Sequence, residues 1–148
     1  MDNFLGLFFG SMFIAAAIVV VLAIVCYILI SIALYRMASN RDIEYAWLAF
    51  IPLGNAYIQG MVIEDFNIFN FTVPNAQYVL PMLPVVSYVL SSIGIPQTVA
   101  ALVVFIISLF ALYELFMILD EDTAKRNIIL SAVIPITTPF ILFSLRDN

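Results

Sequence analysis

Residues 8–35 form an apolar run without a single charge. As an α-helix this run would be about 42 Å long, longer than the ~30 Å hydrocarbon core of a bilayer. A small domain has no core deep enough to cover such a rod, so the run predicts a membrane helix that tilts or protrudes. The rest of the chain agrees. Apolar residues make up 65% of the 148 positions, against five basic and ten acidic ones. A soluble domain is about half apolar and a quarter charged. The expected fold class is an all-α integral membrane protein, a single transmembrane domain over residues 1–148. It should hold four to five membrane-embedded helices, several broken by proline, with the lipid bilayer as their solvent.

Composition also excludes chemistry. There is no histidine, and Cys26 stands alone inside the first run. Disulfides, thiolate metal sites, histidine-ligated haem and Cys/His catalysis are therefore not expected. Neither is a cofactor, and the chain does not read as an enzyme. The five basic residues are single or paired, so no nucleic-acid partner is expected. No positive segment precedes the first run, which is longer than a signal peptide's apolar core. Val25 is too bulky for a lipoprotein cleavage site before Cys26. The first segment is read as a retained helix.

Four further segments complete the chain. Residues 43–63 are apolar but interrupted by Pro52 and Gly54, with Asn55 and Gln59 four apart on one helical face. Residues 66–75 alternate aromatic residues and asparagines, as suits the membrane–water interface. Residues 76–93 are uncharged and carry Pro81 and Pro84. Residues 97–119 are a clean helix apart from Glu114. Residues 120–127 read as a charged loop, and residues 128–145 as a short span with Pro135 and Pro139.

The two ends of the chain look alike. Ala33-Leu34-Tyr35-Arg36 ends the first segment, and Ala111-Leu112-Tyr113-Glu114 sits near the end of the fourth. Each precedes a charged loop and then an apolar segment with Ile51-Pro52 or Ile134-Pro135 in it. This suggests a degenerate tandem helix-hairpin repeat. Charge counting adds orientation. If all five segments crossed, Arg36 and Arg41 would face away from Lys125 and Arg126, with almost no bias. If 43–63 or 76–93 fails to cross, the basic residues split at least four to one, as positive-inside sorting favours. Broken backbone at membrane depth must be sheltered by protein or water. Loops 36–44 and 120–127 are thus expected in the cytoplasm, with the N-terminus outside.

Two constellations are candidate sites. Glu114 is an ionisable residue inside a span, a costly placement. Its repeat counterpart is Arg36, so an intramembrane Arg36–Glu114 ion pair is the first expectation. Snorkelling to the interface, or a proton or cation site, are the others. The second is the break at Pro52, Gly54, Asn55 and Gln59, which is either a polar binding site of the transporter kind or a kink that hydrogen-bonds a neighbouring helix. Pro135, Thr137, Thr138 and Pro139 read the same way. Asp120-Glu121-Asp122 reads as the start of a helix capped by Asp122 or Thr123. Trp47, Tyr35, Tyr45 and Tyr57 suit an aromatic belt. Gly6, Gly10, residues 15–17 and Ala23 make close helix packing plausible along the first segment.

The stretches Ala33-Leu34-Tyr35-Arg36-Met37-Ala38 and Trp47-Leu48-Ala49-Phe50-Ile51-Pro52-Leu53-Gly54-Asn55-Ala56-Tyr57, with the ending Pro139-Phe140-Ile141-Leu142-Phe143-Ser144-Leu145-Arg146, resemble a family of small polytopic membrane proteins of Gram-positive bacteria. The resemblance spans the two ends of the chain and not residues 64–100. It implies a plasma-membrane protein and carries neither an activity nor a site residue. The function expected is that of a non-enzymatic accessory or assembly subunit, acting through helix contacts with a membrane-protein partner or itself. The alternative is a small oligomeric transporter or channel using Glu114 and the broken helices.

Overall fold

The computed structural model describes the backbone of residues 2–147 and the side chains of residues 9–147. It contains six helices and one small β-hairpin: α1 (Asp2–Asn40), α2 (Pro52–Ile63), β1 (Phe66–Ile68), β2 (Phe71–Val73), α3 (Ala76–Ser92), α4 (Gln97–Leu119), α5 (Glu121–Val133) and α6 (Thr138–Ser144). The protein is predominantly helical, as expected. By length and composition, α1 from Phe9 to Asn40 and α4 could each cross a membrane.

α1 continues four residues past Arg36 before the chain turns. Residues 43–63 are not one helix. They divide into a short 3-10 helix, Ala46–Phe50, and the 12-residue α2, with extended Ile51 between them. Pro52 is the first residue of α2, where its missing N–H costs nothing. A 12-residue helix is only about 18 Å long. The chain here descends beside α1 and climbs back. At the bottom, the Tyr27 hydroxyl donates to the Phe50 carbonyl at 2.8 Å. At the top, the Arg41 guanidinium donates to the Val62 carbonyl at 2.9 Å. Residues 43–63 therefore enter and leave at the same end of α1.

Residues 128–145 are also not a single span. Of residues 120–127, expected as a charged loop, Asp120 precedes α5 and residues 121–127 form its first half, and the helix stops at Ile134. A short 3-10 turn, Pro135–Thr137, leads into α6, only 7 residues long. α5 runs back along α4, so that Ile128 lies beside Ile106 and Tyr113. α6 returns, and Ser144 and Leu145 reach Asp120 and Thr123. Both Ile-Pro pairs thus stand at the turn of a hairpin that opens toward one end of the molecule. The arms differ, because a 3-10 helix descends in the first hairpin and a 13-residue α-helix in the second.

α3 stays helical through Pro81 and Pro84. Its start is pinned by the Ala76 amide donating to the Glu64 carbonyl at 2.9 Å. It turns into α4 at Gly94, whose φ of +94° suits glycine. The core sits at one end of the bundle. Ala33, Leu34, Met37, Ile58, Val62, Phe66, Leu115 and Phe116 are buried there. Gly60 lets α2 approach α3 until its Cα faces the Ala76 and Gln77 backbone directly. In contrast, every side chain of residues 9–25 is exposed.

Candidate functional site

The charged side chains gather at the packed end. Apart from Asp2, the first charge is Arg36, and the chain then carries none between Asp65 and Glu114. Arg36 meets Asp147 at 3.9 Å. The Asp65 carboxylate accepts the Asn75 amide at 3.0 Å. Asp120 and Arg126 face Ser144 and Leu145. The α1, α2, α4 and α6 C-termini and the α3 and α5 N-termini therefore share one polar face.

The expected Arg36–Glu114 pair does not form. Arg36 turns to Asp147, and both side chains are more than half exposed. A pair so open to solvent contributes little. Glu114 instead faces the β-hairpin. Its Oε1 accepts the Asn67 amide at 3.2 Å and the Asn67 Nδ2 at 3.0 Å. The physical reason is local. Residues 66–73 pair as a two-stranded ribbon with a Phe69-Asn70 turn, and this ribbon lies against α4. Phe69, at a left-handed φ of 53°, packs against Phe110 with ring centroids 5.2 Å apart and the rings tilted by 60°. The hairpin reaches Glu114, and Arg36 does not. Glu114→Gln keeps an acceptor oxygen and is expected to leave stability almost unchanged, as is Arg36→Gln. Glu114→Leu removes the acceptor of two donors on exposed Asn67, which can turn to water, and should cost about 0.5–1.5 kcal/mol. Unfolding midpoints in detergent check this. Equal losses in Glu114→Gln and Arg36→Gln, not additive in the double variant, would restore the pair.

At the proline break, the structure brings Pro52, Gly54 and Asn55 together. A helix interrupted by an extended residue leaves carbonyls free. Asn55 Nδ2 donates to the Ala49 carbonyl at 3.3 Å and to Ser31 Oγ at 3.4 Å. Tyr27 takes the Phe50 carbonyl. Gly54 sits under the Leu48 carbonyl, where a Cβ would collide. The acceptors that a ligand would use are occupied by side chains of α1 and α2. Gln59 is half-buried and makes no hydrogen bond among the described residues. Sequence reasoning does not single out Tyr27 and Ser31. Their signal is their spacing, two hydroxyls four apart on one face of an apolar helix.

The cap of α5 is Asp120 rather than Asp122 or Thr123. Asp120 Oδ1 accepts the Thr123 amide at 3.4 Å, and Oδ2 accepts its hydroxyl at 2.6 Å. Asn127 and Ser131 continue this face inward and are buried. Asn127 donates to Thr123 Oγ1 at 3.1 Å, while Ser131 Oγ has no partner among the described residues. Thr137 Oγ1 donates to the Ile134 carbonyl at 2.7 Å, satisfying a group freed at the second break. No cluster of three potential metal ligands occurs among the described residues. Gly6 lies outside the residues whose side-chain surroundings are described. Gly10 has nothing within 4 Å of where a Cβ would stand.

Compared with known proteins, the chain matches no family model, no curated protein and no solved structure.

Proposed function

We propose that this protein is a non-enzymatic polytopic membrane protein, an accessory or assembly subunit that holds a membrane partner along α1. The observation that carries this is an uncovered stretch of α1. Among the described residues no other element packs over residues 12–25, and all their side chains are exposed. With Gly10, the stretch includes Ala15, Ala16, Ala17 and Ala23, the small residues that let membrane helices approach closely. The transport reading finds no comparable support. Glu114 is engaged by Asn67, and the proline break is filled by Tyr27 and Asn55.

In this reading α1, α3 and α4 cross the bilayer. The hairpins 43–63 and 120–145 dip in and return on the charged side. Four to five segments are then membrane-embedded, with three of them complete crossings. The two dipping hairpins after α1 and α4 are a tandem repeat of chain path. All five basic residues fall on one side, which positive-inside sorting makes cytoplasmic. The N-terminus is then outside. Tyr35, Tyr45, Trp47, Tyr78 and Tyr113 lie near that charged side, where an aromatic belt belongs. The family resemblance supports the plasma membrane as the location.

Native mass spectrometry of gently extracted protein tests the role. The expected result is a stoichiometric companion, either a second membrane protein or another copy. Gly10→Ile and Ala17→Leu should lose it while the chain stays folded, since neither residue touches the packed end. A lone wild-type monomer, or a companion that both variants retain, would sink the proposal.

A further inference from the structure

We propose that the groove between α4 and α5 binds an anionic phospholipid, with an acyl chain in the groove and the phosphate on Lys125. The groove encloses about 260 Å³. Ile106, Leu109, Phe110 and Tyr113 line its α4 side, and Ile128 lines its α5 side. The α4 residues follow helical spacing and form a stripe about 10 Å long. Its wall is wholly apolar, so it fits a hydrocarbon chain and not a water-soluble ligand.

The two helices meet at Asp120 and run antiparallel, so the shallow end of the groove is the charged end. Tyr113 stands there on α4. Lys125 stands there on α5, one turn before Ile128 on the same face. Helical side chains lean toward the helix N-terminus, which carries the Lys125 ammonium out of the groove and toward the headgroup level.

Lys125 is also uncommitted. Arg36, Arg41 and Arg146 each hold a carboxylate or a carbonyl. Lys125 makes no ion pair or hydrogen bond among the described residues, and Glu121, one turn earlier, stays beyond 4 Å. Glu114, next to Tyr113, is turned to Asn67. Arg126 lines a separate cavity of about 170 Å³ with Asp120 and Asn127. An apolar groove with a free ammonium one helical turn beyond its shallow end has the polarity of a phospholipid. Basic sites between membrane helices on the cytoplasmic side take anionic headgroups.

The test is native mass spectrometry of the chain released from nanodiscs of equal phosphatidylglycerol and phosphatidylcholine. Wild type should retain one phosphatidylglycerol in preference to phosphatidylcholine by about fivefold. Lys125→Gln should abolish the preference, Lys125→Arg should keep it, and Arg126→Gln should leave it unchanged. Ile128→Trp, which fills the groove, should lose the retained lipid altogether. Equal retention of both lipids by wild type, or a preference that survives Lys125→Gln, would overturn the site. The measurement uses the chain alone, so its result does not depend on the α1 partner.

Discussion

Cysteines introduced as Ser39→Cys and Asp122→Cys, in a Cys26→Ala background, are expected to react with a membrane-impermeant thiol reagent from the same side. Ile93→Cys should react only from the other. The outcome is all or none, because the bilayer is a barrier and not a gradient. Ser39 and Asp122 are exposed and stand at the charged end, while Ile93 is 70% exposed at the turn between α3 and α4. Residues 43–63 leave α1 at Asn40 and return to it at Arg41 through the Val62 carbonyl, so they contribute no net crossing. In the proposed topology α3 and α4 together contribute two. Five complete crossings would put positions 39 and 122 on opposite sides, and that result would refute the dipping hairpin. In intact cells, reaction at 39 before lysis would reverse the orientation.

Replacing Gly60 with alanine is expected to be among the most destabilising of small changes. The added methyl would meet the Ala76 and Gln77 backbone, and backbone cannot swing aside as a flexible side chain can. Overpacking of this kind costs about 3 kcal/mol. It opposes a gain of about 1 kcal/mol from placing alanine instead of glycine in a helix. The loss wins, and the detergent unfolding midpoint should fall well below wild type. Gly10→Ala provides the contrast. No atom lies within 4 Å of its new methyl, so only the helical gain of about 0.5–1 kcal/mol remains. Equal midpoints for the two variants would mean that α2 and α3 are not in contact at Gly60.

Much of this architecture is legible in the residues. The apolar runs locate α1, α3 and α4, with α4 bounded at 97 and 119 as the pattern suggests. Ile51-Pro52 and Ile134-Pro135 announce the two breaks, and each pair does begin a short helix. In the proposed topology a crossing segment and a dipping one share the same apolar composition, because both would face lipid. What separates them here is a pair of distant hydrogen bonds, Tyr27 to Phe50 and Arg41 to Val62, which no local pattern reports. The hairpin at 66–73 lacks the Asn-Gly turn that usually marks one. Its alternation suits an interface equally well, and nothing in it marks Asn67 as the partner of Glu114. Position in the repeat matches Arg36 to Glu114. Asp147 reaches Arg36 instead, because α6 folds the chain's end back against α1.

From Phe66 to Tyr113 the chain carries no charge, and that stretch holds the whole of α3 and all of α4 before Glu114. Moving an elementary charge across the membrane costs or gains about 2.3 kcal/mol per 100 mV. In the proposed topology this helical pair carries none through the bilayer. A membrane potential can neither pull it in nor hold it there, and energised and de-energised membranes should take it up equally well. Only its oil-like surface keeps it in place.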